Sequence, residues 1–218
     1  MYSSLSELVS ERARHESTGP SSAVDSRPGR LGPATVEVDY IVGQLETSSS
    51  GMLISTATFS SCRANACVFS GKWQYETTIC SAGIMQIGWA TLQCPFTSEE
   101  GVGDAPDSYA FDGKRVRKWH VSCTQYGEAW AAGDVIGCCL DLDRGEATFY
   151  RNGRSLGVAF TGIRTMQPNL AYFPAVSLSY AERCELNFGA QPLQYPAPGY
   201  QPMQAPPNAG VLASTSYL

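Results

Sequence analysis

Apolar and polar residues alternate through the middle of the chain. In residues 35–41, Val36, Val38 and Tyr40 alternate with Glu37 and Asp39, the period of two that marks a half-buried strand. Over 72–80 the apolar side is Trp73, Tyr75, Thr77 and Ile79; beyond Ser81-Ala82-Gly83, Met85, Ile87 and Trp89 alternate with Gln86, Gly88 and Ala90. The short glycine-bearing loop between these two segments predicts that they pair as a hairpin. Residues 135–143 place Ile136, Cys138, Leu140 and Leu142 on one face, so adjacent Cys138 and Cys139 point to opposite faces. Asp143-Arg144-Gly145 turns into 147–151. Asn152-Gly153, both tolerant of positive φ, then marks a tight hairpin returning through 155–160. Residues 171–178 and 183–188 complete the set, with Cys184, Leu186 and Phe188 inward. Turn signals recur about every 8 to 12 residues, without a long helical period or an internal repeat. The expected architecture is all-β, an antiparallel β-sandwich of about a dozen short strands.

Both ends break the pattern. Residues 1–30 hold eight serines and almost no aromatics; within them Ser4-Leu5-Ser6-Glu7 fits a capping box for a short helix with Leu5, Leu8 and Val9 on one face. Residues 192–218 contain six of the thirteen prolines and no charged side chain, which favours extended backbone. The expected division is an N-terminal arm over 1–30, a folded domain over 31–191 and a proline-rich tail over 192–218.

Composition narrows the function. The 218 residues carry a net charge of −5, and 43% are hydrophobic, enough for a packed core. No apolar run nears the ~18 residues of a membrane span, and residues 1–10 lack the basic start of a secretory signal, so a soluble cytoplasmic chain with no membrane partner is expected. Nucleic-acid binding usually shows as a basic stripe and is disfavoured by the acidic balance. The eight cysteines, at 62, 67, 80, 94, 123, 138, 139 and 184, include no Cys-x-x-Cys pair, and His15 and His120 are the only histidines. A zinc module therefore lacks its ligands; no metal or other cofactor is expected, and the thiols read as small reduced hydrophobes.

The ordered blocks Gly-Lys-Trp-Gln-Tyr-Glu (71–76), Gln-Ile-Gly-Trp-Ala (86–90), Gly-Asp-Ala-Pro-Asp-Ser-Tyr-Ala-Phe-Asp-Gly (103–113) and Phe-Tyr-Arg-Asn-Gly-Arg-Ser-Leu-Gly (149–157), with Leu-Asn-Phe-Gly (186–189), resemble those of SPRY (B30.2/SPRY) domains. The resemblance spans 31–191 and is nearest to the SPRY part of KPC-type RING ubiquitin ligases, whose RING finger has no counterpart in these residues. It implies a curved sandwich of the concanavalin-like jelly-roll kind. It also implies a non-catalytic module that grips a protein or short peptide with the loops at one end, such as a ubiquitin-ligase substrate or subunit. The physics agrees, because a rigid sheet holds loop ends in place at little ordering cost.

By that resemblance three segments form the contact surface. Ser179, Tyr180 and Ala181 occupy the loop before the last strand, with Tyr180 as a flat amphipathic anchor. Thr97, Ser98, Glu99 and Glu100 occupy a second loop, whose carboxylates favour a basic partner. Ser60, Arg63 and Asn65 are expected in a third. Lys114, Arg115, Arg117 and Lys118, beside Trp119, form the one basic cluster, suited to an acidic peptide, phosphate or RNA by charge and stacking. Catalytic readings are weaker. His120 and Cys123, three apart, fall on opposite faces if they share one strand, and Asp141 and Asp143 fit a turn better than a hydrolytic pair. The leading expectation is substrate or partner recognition within a RING-type ubiquitin-ligase assembly. The alternatives are a scaffold-packing SPRY domain without a free peptide pocket and an RNA or acidic-ligand adaptor.

Overall fold

The structure is a computed structural model that describes residues 23–163 and 170–205; the capping box at 4–7 and the chain beyond 205 lie outside the described residues. Its strands are β1 (Arg30–Leu31), β2 (Val38–Val42), β3 (Leu45–Thr47), β4 (Met52–Ser55), β5 (Phe59–Ala64), β6 (Cys67–Val68), β7 (Lys72–Ile79), β8 (Met85–Ala90) and β9 (Ser108–Asp112). They continue with β10 (Arg117–His120), β11 (Ser122–Gln125), β12 (Val135–Asp141), β13 (Glu146–Arg151), β14 (Arg154–Phe160), β15 (Phe173–Ser179), β16 (Arg183–Asn187) and β17 (Gln201–Pro202). No helix occurs among the described residues.

Two sheets face each other. One runs β11-β10-β9-β8-β15-β5-β2, the other β14-β13-β12-β7-β16-β4-β3, and every pairing along these two paths is antiparallel. The alternating apolar sets meet between them. Trp73, Tyr75 and Ile79 from β7, Met85, Ile87 and Trp89 from β8, and Ile136, Cys138 and Leu140 from β12 are fully buried in one core. Burying each large side chain contributes about 1.5–3 kcal/mol. Tyr75 ties the layers together, packing edge-on to Trp89 with centroids 5.2 Å apart and donating its hydroxyl to the Gly88 carbonyl at 2.6 Å. The turns read from sequence are present: Asn152 and Gly153 take φ of 50° and 79° between β13 and β14. Asp141 accepts the N–H groups of Asp143 and Arg144 in the turn between β12 and β13.

Four expectations need correction. The segments 72–80 and 85–90 do not form a hairpin: β7 pairs with β12 and β16 in one sheet, β8 with β9 and β15 in the other. Their short link crosses between layers, because each strand is buried on both faces and needs two sheet neighbours of its own. The alternation of Val36, Val38 and Tyr40 is broken by a bulge, where Val38 opposes Ala64 and Tyr40 opposes the adjacent Arg63. Val38 therefore packs on the main core and Tyr40 on the far side of its sheet. The strands also exceed a dozen, since β1, β3, β6 and β17 are too short to show a period.

The fourth correction concerns the ends, for 192–205 is part of the fold. β17 runs parallel to β7, filling the stretch of its edge that β16 leaves free. Gln74 and Glu76, the outward positions of β7, are buried beneath this strap. Glu76 accepts the N–H groups of Gln194 at 2.8 Å and Tyr195 at 2.7 Å; Gln74 accepts from Ala197 and donates to the Tyr195 carbonyl. Prolines in this segment lack donors and keep it extended, so side chains of β7 satisfy the backbone groups that remain. From the N-terminal side, Arg27 and Arg30 both donate to the Met203 carbonyl. The expected arm and tail thus clasp each other over one sheet.

Candidate functional site

The outer face of the β8-bearing sheet follows from its register. Gly88 opposes Ala110 and Ala175, and Ala175 opposes Arg63; Ser177 opposes Gln86 and Ser61, and Ser179 opposes Phe59. All of these turn away from the main core. Small side chains at the centre leave room for residues 91–107 to fold back across the sheet. Cys94, Phe96, Val102 and Ala105 of that segment pack on Ala90, Ala110 and Ala175 as a second, smaller core.

Polar contacts fix the segment. Arg63 is buried and donates from Nη1 to the carbonyls of Thr91 at 2.8 Å and Leu92 at 3.1 Å. Its guanidinium lies 4.6 Å from the Tyr40 ring centroid and 5.2 Å from that of Phe173. Ser177 accepts the Val102 N–H at 2.9 Å, and Thr97 accepts those of Glu99 and Glu100. Gly101 is required by close approach, since a Cβ there would meet the Phe59 ring at 2.7 Å and overlap the Ser177 hydroxyl.

Between this segment and the sheet lies a cavity of about 370 Å³. Phe59, Ile84 and Trp119 supply its apolar wall; Gln86, Ser179, Glu99, Asp104 and Arg115 supply its polar one. Arg115 pairs with the buried carboxylate of Asp112 and its guanidinium lies 4.2 Å from the Trp119 ring centroid. Burial pushes the Asp112 carboxyl up from its ordinary value, against the Arg115 and Lys114 contacts that pull it down. Next to Ser179 in the chain, Tyr180 is 68% exposed, and Ile84 is exposed at the adjoining turn. The Ser179 N–H donates to the Ile84 carbonyl and the Tyr180 N–H to that of Thr58. Ala181 takes a φ of 63°, and Glu182 accepts from Ser81 Oγ and the Gly83 N–H, holding the turn between two loops.

The structure therefore brings together parts of two expected loops, Glu99 from one and Ser179 from the other, with Tyr180 and Ala181 beside them. Thr97 serves its own loop, while Ser98 and Glu100 are exposed. The third expected loop is corrected: Ser60 and Arg63 lie within β5 and are buried. Ser60 binds Ser55 and the Gln44 backbone, and Asn65 accepts from Glu37 N and donates to the Thr35 carbonyl. Arg63 braces the cavity segment instead of facing a partner. The basic cluster is not one surface either, because strand alternation splits it. Arg115 joins the cavity, Lys114 and Arg117 are exposed, and Lys118 turns to the opposite face, donating to the Ala159 carbonyl under Phe160.

Trp119, expected as a stacking partner of the basic cluster, instead walls the cavity; Phe59, Gln86 and Asp104 carry no expected role from sequence, and of these Gln86 alone has a signal, as a polar position opposite the core side of its strand. His120 and Cys123 occupy the two strands of a hairpin rather than one strand. Cys123 opposes Trp119, whereas His120 turns to the other face and stacks on Tyr109 with centroids 4.2 Å apart. Asp141 pairs with Lys72, and Asp143 accepts the Gly71 N–H. All eight cysteines are free, and burial pushes the Cys62, Cys67 and Cys138 thiols up to about 12.

A two-layer antiparallel sandwich with a loop-walled cavity on one outer face defines the class. The SPRY domain family model matches residues 72–191, more than half of the chain, and the chain belongs to that family. SPRY domains are non-catalytic protein-interaction modules. Among its relatives, the chain is 62% identical over 157 residues to the E3 ubiquitin-protein ligase RKP of Arabidopsis thaliana, an alignment covering 72% of this chain and 12% of that protein. Residues 23–71 precede the family match, yet β2 to β5 complete both sheets and Phe59 lines the cavity.

Proposed function

We propose that this domain recognises a protein or peptide partner for a ubiquitin-ligase assembly, and that the partner seats in the cavity over β8 and β15. The observation that carries the reading is the cavity itself. It is open, has an apolar wall, is edged by two braced loops and adjoins the exposed ring of Tyr180. Recognition sites concentrate their binding energy in a few aromatic or arginine anchors placed in preformed pockets, and tyrosine supplies area with little rotamer entropy to lose. The kinship with a ubiquitin ligase supports the wider assembly. A peptide-display screen against the wild-type chain and Tyr180→Ala tests the site. Selected peptides should bind Tyr180→Ala roughly tenfold or more weakly, the loss expected of an interface anchor. Equal binding by both proteins removes the anchor and with it the proposed mode of recognition.

A further inference from the structure

The cavity's charge is unevenly balanced. Three charged side chains line it: Glu99, Asp104 and Arg115. Arg115 already faces the Asp112 carboxylate and lies against Trp119. Among the described residues, Asp104 accepts only neutral donors, the Gly101 N–H at 2.7 Å and Gln86 Nε2 at 3.3 Å. Glu99 is exposed and has no cation against it among the described residues, and Glu100 stands next to it. Two uncompensated carboxylates therefore sit beside the apolar surfaces of Phe59 and Ile84.

This juxtaposition matches one kind of side chain. Lysine and arginine carry an apolar stem and a cationic head, burying the first while the second seeks a carboxylate. A carboxylate accepts charge-assisted hydrogen bonds from either, and bidentate ones from arginine. An acidic ligand would reach Arg115 only alongside the repulsion of Glu99 and Asp104. At the mouth, Tyr180 and Ile84 present apolar surface to whatever flanks the seated residue. We infer that the partner segment taken by this cavity carries a lysine or arginine next to an apolar residue. The inference rests on the cavity being the recognition site and names the chemistry it selects.

The test uses the full chain and four pools of short fluorescein-labelled peptides with degenerate flanks around a fixed Leu-Arg, Leu-Lys, Leu-Gln or Leu-Glu. Fluorescence polarisation should rank the arginine and lysine pools roughly fivefold tighter than the glutamine pool, with the glutamate pool weakest. Added salt should narrow the spread, as screening of exposed charge requires. Glu99→Gln should bring the arginine pool toward the glutamine pool, and Glu99→Lys should raise the glutamate pool above it. Glu99 is exposed and has no side-chain partner among the described residues, so both variants should melt like the wild type. Equal affinities across the pools, or tightest binding of the glutamate pool, overturn the inference. If those pools still weaken together in Tyr180→Ala, the cavity stands as the recognition site and only its charge preference fails. If no pool binds, or none responds to Tyr180→Ala, both readings fall.

Discussion

Removing the charge of Arg63 while keeping its stem, as in Arg63→Met, separates a brace from a contact residue. The guanidinium makes two hydrogen bonds to the Thr91 and Leu92 carbonyls and sits between two aromatic rings, with the residue only 4% exposed. Hydrogen bonds to a charged group contribute about 1.5–3 kcal/mol, and a ring contact of this kind about 1 kcal/mol. Because interactions sharing one side chain do not add fully, the expected loss is about 3–4 kcal/mol. For a domain of this size that lowers the melting temperature by roughly 10 °C. The loss should be local in character. Amide hydrogen exchange in 91–107 should quicken more than in β7 or β12, because the segment loses its main polar tether to the sheet. Peptide affinity should fall with it, since Glu99 and Asp104 belong to the same segment. A variant that melts within a degree of the wild type, keeps the exchange pattern of 91–107 and yet binds peptide weakly would refute the reasoning and return Arg63 to the contact surface.

Two further outcomes follow from the strap and from the loop after Trp130. Glu76→Gln turns one carboxylate oxygen into a donor facing a backbone N–H, so it should cost about 2–3 kcal/mol in denaturant unfolding and speed proteolysis within 192–205; an unchanged unfolding midpoint would mean that the strap is not anchored there. For Asp134, burial raises the pKa, but the Ala131 N–H, Asn152 and Arg151 outweigh it, leaving the carboxyl below its ordinary value of 3.8. Its stabilising contribution is then complete above that value and is lost as pH falls through the lower folded value, so the melting gap between wild type and Asp134→Asn should shrink below about pH 4. A gap that stays constant to pH 2 would contradict this.

The sandwich was legible because burial in a sheet writes a period of two, and Trp73, Tyr75, Met85, Ile87 and Trp89 each fell on the face the period assigned. Partners were not legible. The glycine loop at 81–83 signals a reversal but carries no information about whether the next strand pairs with the last or crosses to the other layer. Residues buried by contacts distant in sequence were hidden for a related reason. Gln74 and Glu76 look like solvent positions of a strand until the segment beyond 192 covers them. The candidate site was half visible. Glu99 and Tyr180 lie in loops and come into view through the family resemblance, which also points to Arg63, whose strand position buries it. Arg117 and Lys118 are adjacent in β10, so alternation sends them to different faces, while Arg115 lies in the turn before that strand. Phe59 opens a strand and lines the cavity, and nothing local distinguishes it from a core aromatic, whereas the basic neighbours of Trp119 mark that ring as one outside the core.

The central claim is that a polypeptide partner is held over the outer face of the β8-bearing sheet. Hydrogen exchange of the full chain with and without a saturating peptide from the display screen measures this directly. The account predicts slowed exchange confined to 97–104, 84–86 and 179–181, and little change at the far edges β3 and β14. Protection along either of those edges, or none near the cavity while the peptide is bound, would contradict it.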